Sequence, residues 1–153
     1  LAKGIDTIAL QTAIEEKGHV IGVIGTPIDQ YYPPENSNLQ DFIAKEHLLI
    51  SQVPFYRYAT EPFKAKRYYF PQRNETMSAL SEATIIVEAS DTSGTLTQAR
   101  AAIQQGRKLF ILNSCFENSN IKWPHKFVER GWVVKGILNT IKMIVNSHCW
   151  LLF

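Results

Sequence analysis

Short apolar runs alternate with helical periodicity along most of this chain, and this alternation is the feature that most restricts its fold. Runs that are rich in β-branched residues and bounded by glycine, proline or polar residues predict buried strands. They cover residues 20–25, 48–53, 84–89 and 109–112, with a shorter strand at 132–134. Helices are predicted over residues 5–16, from residue 37, and over 75–82, 95–105, 124–130 and 137–147. This order is typical of an α/β fold with a mostly parallel sheet and helices on both faces.

The ends of the predicted helices carry recognisable signals. Gly18 and Gly106 follow the first and fourth helices, where glycine commonly ends a helix. Ser37 and Gln40 have the spacing of a capping box at the start of the second helix. Residues 54–74 have no clean period and are predicted to form a long ordered loop. No repeat or low-complexity segment interrupts the sequence, so we expect one domain over residues 1–153.

The composition is that of a globular protein and argues against several classes. Sixteen Lys and Arg residues against fourteen Asp and Glu give 153 residues a net charge of +2, which by itself is too mild to indicate nucleic-acid binding. Cys115 and Cys149 fit no metal spacing, so we expect two reduced thiols in a cytoplasmic protein. We find no signal peptide, and apolar runs of about six residues are far short of the roughly 20 needed to cross a bilayer.

In parallel α/β sheets, ligands bind beyond the carboxyl ends of the strands. The loops after residues 25, 53, 89 and 112 are therefore expected to share one rim. There, Ser93, Gly94 and Thr95 lead from a strand into a helix, and a helix start with free N–H groups and hydroxyls can hold a phosphate. Gly25 and Thr26 form a second, weaker turn of this kind. The alternative for Ser93 is plain helix capping without a ligand.

Residues 55–73 combine cations with aromatic rings. Their five cations, Arg57, Lys64, Lys66, Arg67 and Arg73, face a single acid, Glu61. The interleaved rings are Phe55, Tyr56, Tyr58, Phe63, Tyr68, Tyr69 and Phe70. Cations that follow phosphates and rings that stack on bases, at about 1–3 kcal/mol per base, suit single-stranded nucleic acid. The alternative is that the rings hold down a loop; we expect this of about half of them, and above all of Phe70.

The sequence gives little evidence for catalytic residues. His19, His47, His125 and His148 lie in no nucleophile or metal motif, so we predict no metal site. Glu88 ends a predicted strand at the rim, where it could act as a general base, bind a ribose hydroxyl or cap a neighbouring loop.

Six segments, taken together and in order, resemble the DprA/Smf family of DNA-processing proteins. They are residues 2–6 (family pattern A-R-G-I-D), 23–36 (V-L-G-T…D…Y-P-x-E-N), 70–81 (F-P-x-R-N…L-S), 87–89 (V-E-A), 93–96 (S-G-S-L) and 105–107 (Q-G-R). Each motif is weak alone. Their shared order and natural spacing, from residue 2 to about residue 136, make the resemblance specific.

The resemblance implies a Rossmann-like domain that dimerises, binds single-stranded DNA in a basic pocket and passes it to the recombinase RecA in natural transformation. It implies no cofactor and no catalysis. Lys3 stands where the family has a phosphate-contacting Arg, Arg73 and Asn74 stand in its DNA-binding loop, and residues 93–95 form its anion-binding helix start. The residues expected to bind DNA or phosphate are therefore Lys3, Gly25, Thr26, Lys64, Lys66, Arg67, Arg73, Asn74, Ser93, Gly94 and Thr95.

Departures from the family pattern affect the same site. Glu75 replaces a second Arg that usually follows R-N, and Lys3 lacks the bidentate phosphate geometry of Arg. Leu10 stands near the place of a family His, and residues 113–115 replace its V-P-G. The family's first strand and its G-S-R phosphate turn would precede residue 1. We therefore expect either an N-terminally incomplete domain, whose sheet would have an open edge, or a divergent relative.

Two other functions stay open. The wider superfamily includes LOG-type phosphoribohydrolases, in which residues 93–95 would hold a nucleotide phosphate and Glu88 would lie near the ribose. Gln98 follows the turn where that pattern has a catalytic Glu, which favours nucleotide binding without hydrolysis. The third reading is a degenerate relative that serves only as a partner-binding surface.

Overall fold

A computed structural model describes residues 1–129, 134–136 and 151–152. Its helices are α1 (Ile5–Glu15), α2 (Ser37–Glu46), α3 (Phe55–Thr60), α4 (Phe63–Lys66), α5 (Tyr69–Leu80), α6 (Thr95–Gln104), α7 (Asn113–Glu117) and α8 (Trp123–Val128). Its strands are β1 (Ile21–Ile24), β2 (Leu48–Ser51), β3 (Ala83–Ile86), β4 (Lys108–Leu112), β5 (Val134–Gly136) and β6 (Leu151–Leu152). The chain divides into two compact units, Leu1–Arg73 and Asn74–Phe153. The expectation of a single domain stays a prediction.

The first unit is built on a two-stranded parallel sheet. β1 pairs with β2 in a register that runs from Ile21 opposite Leu48 to Ile24 opposite Ser51. The connection between them contains α2, whose Ile43 is fully buried. Ile43 packs with Ile24 and neighbouring apolar side chains to form the core of this unit. A helical crossover between parallel strands is the arrangement that the alternating sequence predicts.

The second unit holds a four-stranded sheet in the order β5-β4-β3-β6, and all of its strand pairs are parallel. On one face, side chains of β3 and β4 form a cluster with α6, α7 and α8 whose members include Ile86, Leu109, Leu96, Cys115, Trp123 and Phe127. Alternate residues of the same strands, Ala83, Ile85, Phe110 and Leu112, form a second buried cluster. Both faces of the central strands are thus buried, and the α/β prediction is confirmed.

The prediction of a loop over residues 54–74 is wrong, because this segment forms α3, α4 and the start of α5. Pro54 and Pro62 take extended conformations immediately before α3 and α4. Pro71 lies in the first turn of α5, where a missing N–H is tolerated. α3 and α4 have six and four residues and bury none of them, so they need no apolar stripe. Without such a stripe, periodicity could not reveal them.

Two of the predicted helix signals are also wrong. Gln40 does not close a capping box: its buried amide donates to the carbonyl of Gln30 at 3.1 Å, while a 3-10 turn, Pro34–Asn36, leads straight into α2. Gly18 does not take the left-handed position after α1. Lys17 takes it, with a φ of 61°. Gly106 does end α6 as predicted, with a φ of 69° and its N–H donating to Ile103 at 3.0 Å.

Some predicted elements fall outside the described residues. These are the terminal helix over 137–147 and residues 132–133 of the last predicted strand; β5 begins only at Val134. Residues 151 and 152 pair with Thr84 and Ile85 as strand β6. No helix among the described residues is long and apolar enough to cross a membrane.

Candidate functional site

The turn after β1 is fixed from inside the first unit. The ring of Phe70 lies against Gly25 so closely that a Cβ there would come within 2.9 Å of the ring. The hydroxyl of Thr26 is buried and donates to the carbonyl of Gln30 at 3.1 Å, and the hydroxyl of Ser51 donates to the carbonyl of Thr26 at 2.6 Å. Phe70 is therefore structural, as its place beside Pro71 suggested.

Arg73 supports the same turn. Its guanidinium donates to the carbonyl of Val23 at 3.3 Å, and the side chain is half-buried. Burial lowers the pKa of Arg73, and the nearby Asp6 carboxylate partly offsets that effect. The F-P-x-R segment thus anchors the end of β1, so the structure gives Arg73 an internal contact where the sequence suggested a DNA contact alone.

A surface of exposed rings and cations, of which Lys66 alone is half-buried, lies on α3, α4 and the residues that follow. We call it the basic-aromatic surface, and it consists of Phe55, Tyr56, Phe63, Lys64, Lys66, Arg67 and Tyr68. Its four rings are between 56% and 83% exposed. The Arg67 guanidinium lies 5.2 Å from the centre of the Phe63 ring. This spacing is typical of cation–π contacts and keeps a flat ring beside a charge.

The remaining rings of this segment pack inward. Tyr69 is buried, and its ring centre lies 5.8 Å from that of Tyr58. Lys66 covers the face of Tyr58, with its Nζ 4.6 Å from the ring centre. Arg57 and Glu61 form an ion pair at 2.5 Å. The segment therefore divides into structural rings and exposed rings, in the proportion that the sequence led us to expect.

Lys3 carries an ion pair of its own. Its Nζ lies 2.6 Å from Oε1 of Glu35, and both side chains are more than half exposed. The hydrogen bond from Lys3 lowers the pKa of the Glu35 carboxyl. Water and salt screen exposed pairs of this kind, so a phosphate could displace Glu35 at small cost.

In the second unit, the structure brings Asn74 together with the turn at residues 93–95. The Asn74 amide donates to the carbonyl of Gly94 at 3.1 Å. Ser93 donates to the hydroxyl of Thr95 at 3.0 Å and accepts the Thr95 N–H at 3.2 Å. The N–H groups of residues 96 and 97 donate to the carbonyls of residues 93 and 94. A phosphate at this helix start would have to replace these internal contacts.

Several motif residues have structural contacts that sequence reasoning did not predict. Gln105 accepts the hydroxyl of Ser78 at 2.6 Å and donates to the carbonyl of Glu75 at 3.2 Å, and Arg107 donates to the carbonyl of Ala79 at 2.8 Å. The Q-G-R segment thus fastens the start of β4 to α5. The side chain of Glu75 is exposed.

Near the turn at residues 93–95, the described acidic and amide side chains do not form a recognisable catalytic arrangement. Glu88 is exposed, and Gln98, which follows the turn, is 1% exposed within α6. Asp91 accepts the backbone N–H groups of Lys122 and Trp123 at 3.2 and 3.0 Å, so it caps α8. Within the part of the chain that the structure describes, no group of His, Cys, Asp or Glu side chains could hold a metal ion.

The chain is similar in sequence to DNA-processing proteins of the DprA and Smf type. The chain is 36% identical over 131 residues to DNA processing protein DprA of Bacillus subtilis, which covers 86% of this chain and 42% of that protein. It is 35% identical over 131 residues to DprA of Streptococcus pneumoniae, covering 86% and 44% respectively. Protein Smf of Escherichia coli is 31% identical over 135 residues, covering 88% and 34%. The chain thus spans less than half the length of these relatives.

Solved structures agree with these relatives. The X-ray structure of DprA from Streptococcus pneumoniae matches with a TM-score of 0.75 and 30% identity, over 97% of this chain and 50% of that one. DNA processing protein A from Helicobacter pylori, whose structure concerns its single-stranded DNA binding mode, matches with a TM-score of 0.64 and 26% identity, over 84% and 57%. The sequence pattern of one family covers residues 1–147. The chain belongs to the DNA recombination-mediator protein A family.

Proposed function

We propose that this chain binds single-stranded DNA by its backbone and serves DNA processing without reacting with the strand. The observation that carries the proposal is the basic-aromatic surface, in which exposed rings alternate with cations. Single strands offer both phosphates and unpaired bases, and such a surface contacts both. Family membership supports the proposal, as does the single-stranded DNA binding of the Helicobacter pylori relative.

We assign different roles to the predicted site residues. Lys64, Lys66 and Arg67 contact phosphates, and Lys3 does so after releasing Glu35. Thr26 and Arg73 position the turn after β1 rather than supply its charge, because their side chains have internal partners, and Gly25 positions it by leaving room for the ring of Phe70. In the second unit, Asn74, Ser93, Gly94 and Thr95 form a phosphate site in which the ligand replaces the internal hydrogen bonds of the turn.

The phosphate contacts are tested with two matched double variants. Lys64→Ala/Arg67→Ala removes two exposed cations of the basic-aromatic surface, and Lys45→Ala/Lys108→Ala removes two exposed cations elsewhere. Fluorescence anisotropy with labelled oligo(dT) should show about a tenfold loss of affinity for the first variant only, because local phosphate contacts dominate such binding. Equal losses in both variants would mean that the surface has no special role.

The turn at residues 93–95 has a sharper test. Gly94 has a φ of −59°, and a Cβ there would lie 3.6 Å from Nδ2 of Asn74, an ordinary contact. Gly94→Ala should therefore leave the fold intact. If the backbone approaches a phosphate at this turn, the variant loses oligo(dT) affinity while its thermal stability is unchanged or slightly increased. Full retention of affinity would remove the turn from the proposed site.

Further partners follow from the family resemblance. We propose that the protein acts in the cytoplasm as a homodimer and delivers DNA to a RecA-type recombinase in natural transformation. Light scattering after size-exclusion chromatography tests the dimer, and the rate at which RecA assembles on coated DNA tests the delivery. The proposal includes no catalytic step: incubation with AMP, followed by chromatography, should release no base, and release of adenine would overturn it.

A further inference from the structure

A cavity of about 670 Å³ lies between α6 and α8 of the second unit. Its apolar lining comes from Leu96 and Ile103 on α6 and from Trp123 and Phe127 on α8. The ring centres of Trp123 and Phe127 lie 5.9 Å apart in an edge-to-face arrangement, which is a favourable geometry for two aromatic rings. The volume lies within the range of about 300–1,000 Å³ that is typical of ligand sites.

Three cations border this cavity. Arg100 lies on α6, Lys122 directly precedes α8, and Lys126 lies within α8; all three side chains are exposed. Among the residues that the structure describes, none of them forms a salt bridge. The acid in the lining, Asp91, is already engaged by the backbone N–H groups of residues 122 and 123. The border is therefore positive and suits an anionic occupant.

The arrangement favours a peptide over a small polar ligand. Small-ligand sites usually offer a few polar groups on their floor for orientation. Here the Trp123 indole N–H is taken by the carbonyl of Ala89 at 2.9 Å, and Gln104, a further polar residue of the lining, is exposed at the border, which leaves an apolar floor. Lys122 and Lys126 are spaced one helical turn apart on one wall, and Arg100 stands on the other. Cations on both walls can pair with carboxylates at successive positions of an extended peptide.

We propose that this cavity docks a short acidic segment of a partner protein. A bulky apolar side chain of the segment enters between α6 and α8, and its carboxylates lie against Arg100, Lys122 and Lys126. Burial of the apolar anchor supplies affinity, and the cations select for negative charge around it. The proposal does not depend on DNA binding, since it uses none of the residues assigned to that function.

The test uses a fluorescein-labelled oligo-aspartate peptide that ends in phenylalanine. Fluorescence anisotropy with the full chain should show saturable binding that weakens with added salt. Arg100→Ala/Lys126→Ala should lower the affinity about tenfold or more, whereas Lys45→Ala/Lys108→Ala should leave it unchanged. Two further peptides, one ending in alanine and one with asparagine in place of aspartate, should each bind about tenfold more weakly, and they require no change in the protein.

Competition distinguishes the alternative occupants. Excess unlabelled oligo(dT) or AMP should not displace the peptide from the cavity. Displacement by oligo(dT) would make the cavity part of the DNA site, and displacement by AMP would make it a nucleotide site; either result overturns the proposal. Equal binding of the phenylalanine and alanine peptides, or equal loss in both double variants, overturns it as well.

Discussion

At Gly25 the first unit leaves too little room for a side chain. A Cβ at this position would approach Cδ1 of the Phe70 ring to 2.9 Å, and that ring is also in contact with Tyr32, at 5.3 Å between centres. Gly25→Ala should therefore lower the free energy of unfolding by about 1–3 kcal/mol, because the ring must move. Urea unfolding measures the loss.

Gly94→Ala is the matched control for that prediction. Its Cβ has ordinary contact distances and its φ is negative, so the change should be neutral or should stabilise the chain by about 0.4–1 kcal/mol. Equal effects at Gly25 and Gly94 would show that Phe70 does not restrict the turn after β1.

Cys115 gives a pH-dependent prediction at the residue scale. Burial raises the pKa of the Cys115 thiol above its usual 9.0, and the Glu88 carboxylate adds to this. The folded chain therefore keeps the thiol protonated where the unfolded chain loses its proton. The stability that this difference contributes is fully present below pH 9.0 and is lost as the pH rises through the folded value.

Chemical unfolding between pH 8 and 10.5 checks this prediction, in a Cys149→Ser background so that one thiol remains. Stability should fall across the upper part of this range, and the fall should be smaller in Cys115→Ala. A thiol reagent should also react with the folded chain far more slowly than with the unfolded chain. Rapid labelling of the folded protein would contradict the buried position of Cys115.

At the scale of elements, α8 depends on a carboxylate from a distant loop. Asp91 accepts the N–H groups of Lys122 and Trp123, which have no partner within their own helix. Asp91→Ala should destabilise the second unit by about 0.5–2 kcal/mol, and Asp91→Asn should retain part of that stability. Thermal unfolding of the two variants measures the difference. Glu15→Ala, a change at an exposed acid of α1, serves as the control.

The elements also show where sequence patterns are informative. β4 and α6 were predicted within one residue, and β3 begins within one residue of its predicted start but ends three residues early. Buried strands and a half-buried helix require regular apolar spacing, which the sequence shows. α3 and α4 were missed because none of their residues is fully buried, so they carry no regular apolar spacing. The end of α1 was predicted within one residue, but the left-handed residue after it was not: Lys17 adopts that conformation, for which Gly18 was the natural expectation.

At the scale of the whole molecule, the distribution of charge matters more than its sum. The first unit carries eight cations and eight acids, but residues 57–73 hold five of those cations and only one of the acids. Association with DNA should therefore depend on this segment. Each phosphate contact on a single strand contributes about 0.7 to the slope of log affinity against log salt. Lys64→Ala/Arg67→Ala should flatten the slope by about 1.4.

Anisotropy titrations with oligo(dT) at several KCl concentrations measure this slope. Lys45→Ala/Lys108→Ala should keep the slope of the unchanged protein, since its two cations lie outside the segment. A slope that is the same in all three proteins would place the phosphate contacts elsewhere on the chain.

The sequence alone determined the α/β class, the main strands and the family, because buried parallel strands and ordered motifs leave local signals that need no tertiary information. It could not separate the exposed rings at Tyr56 and Phe63 from the packed ring of Tyr69, because the same residue types serve both purposes. Only the tertiary structure revealed the internal hydrogen-bond partners of Arg73, Asp91 and Gln105. Those contacts join residues about 30 to 50 positions apart in the chain, and such pairings arise from packing rather than from local pattern.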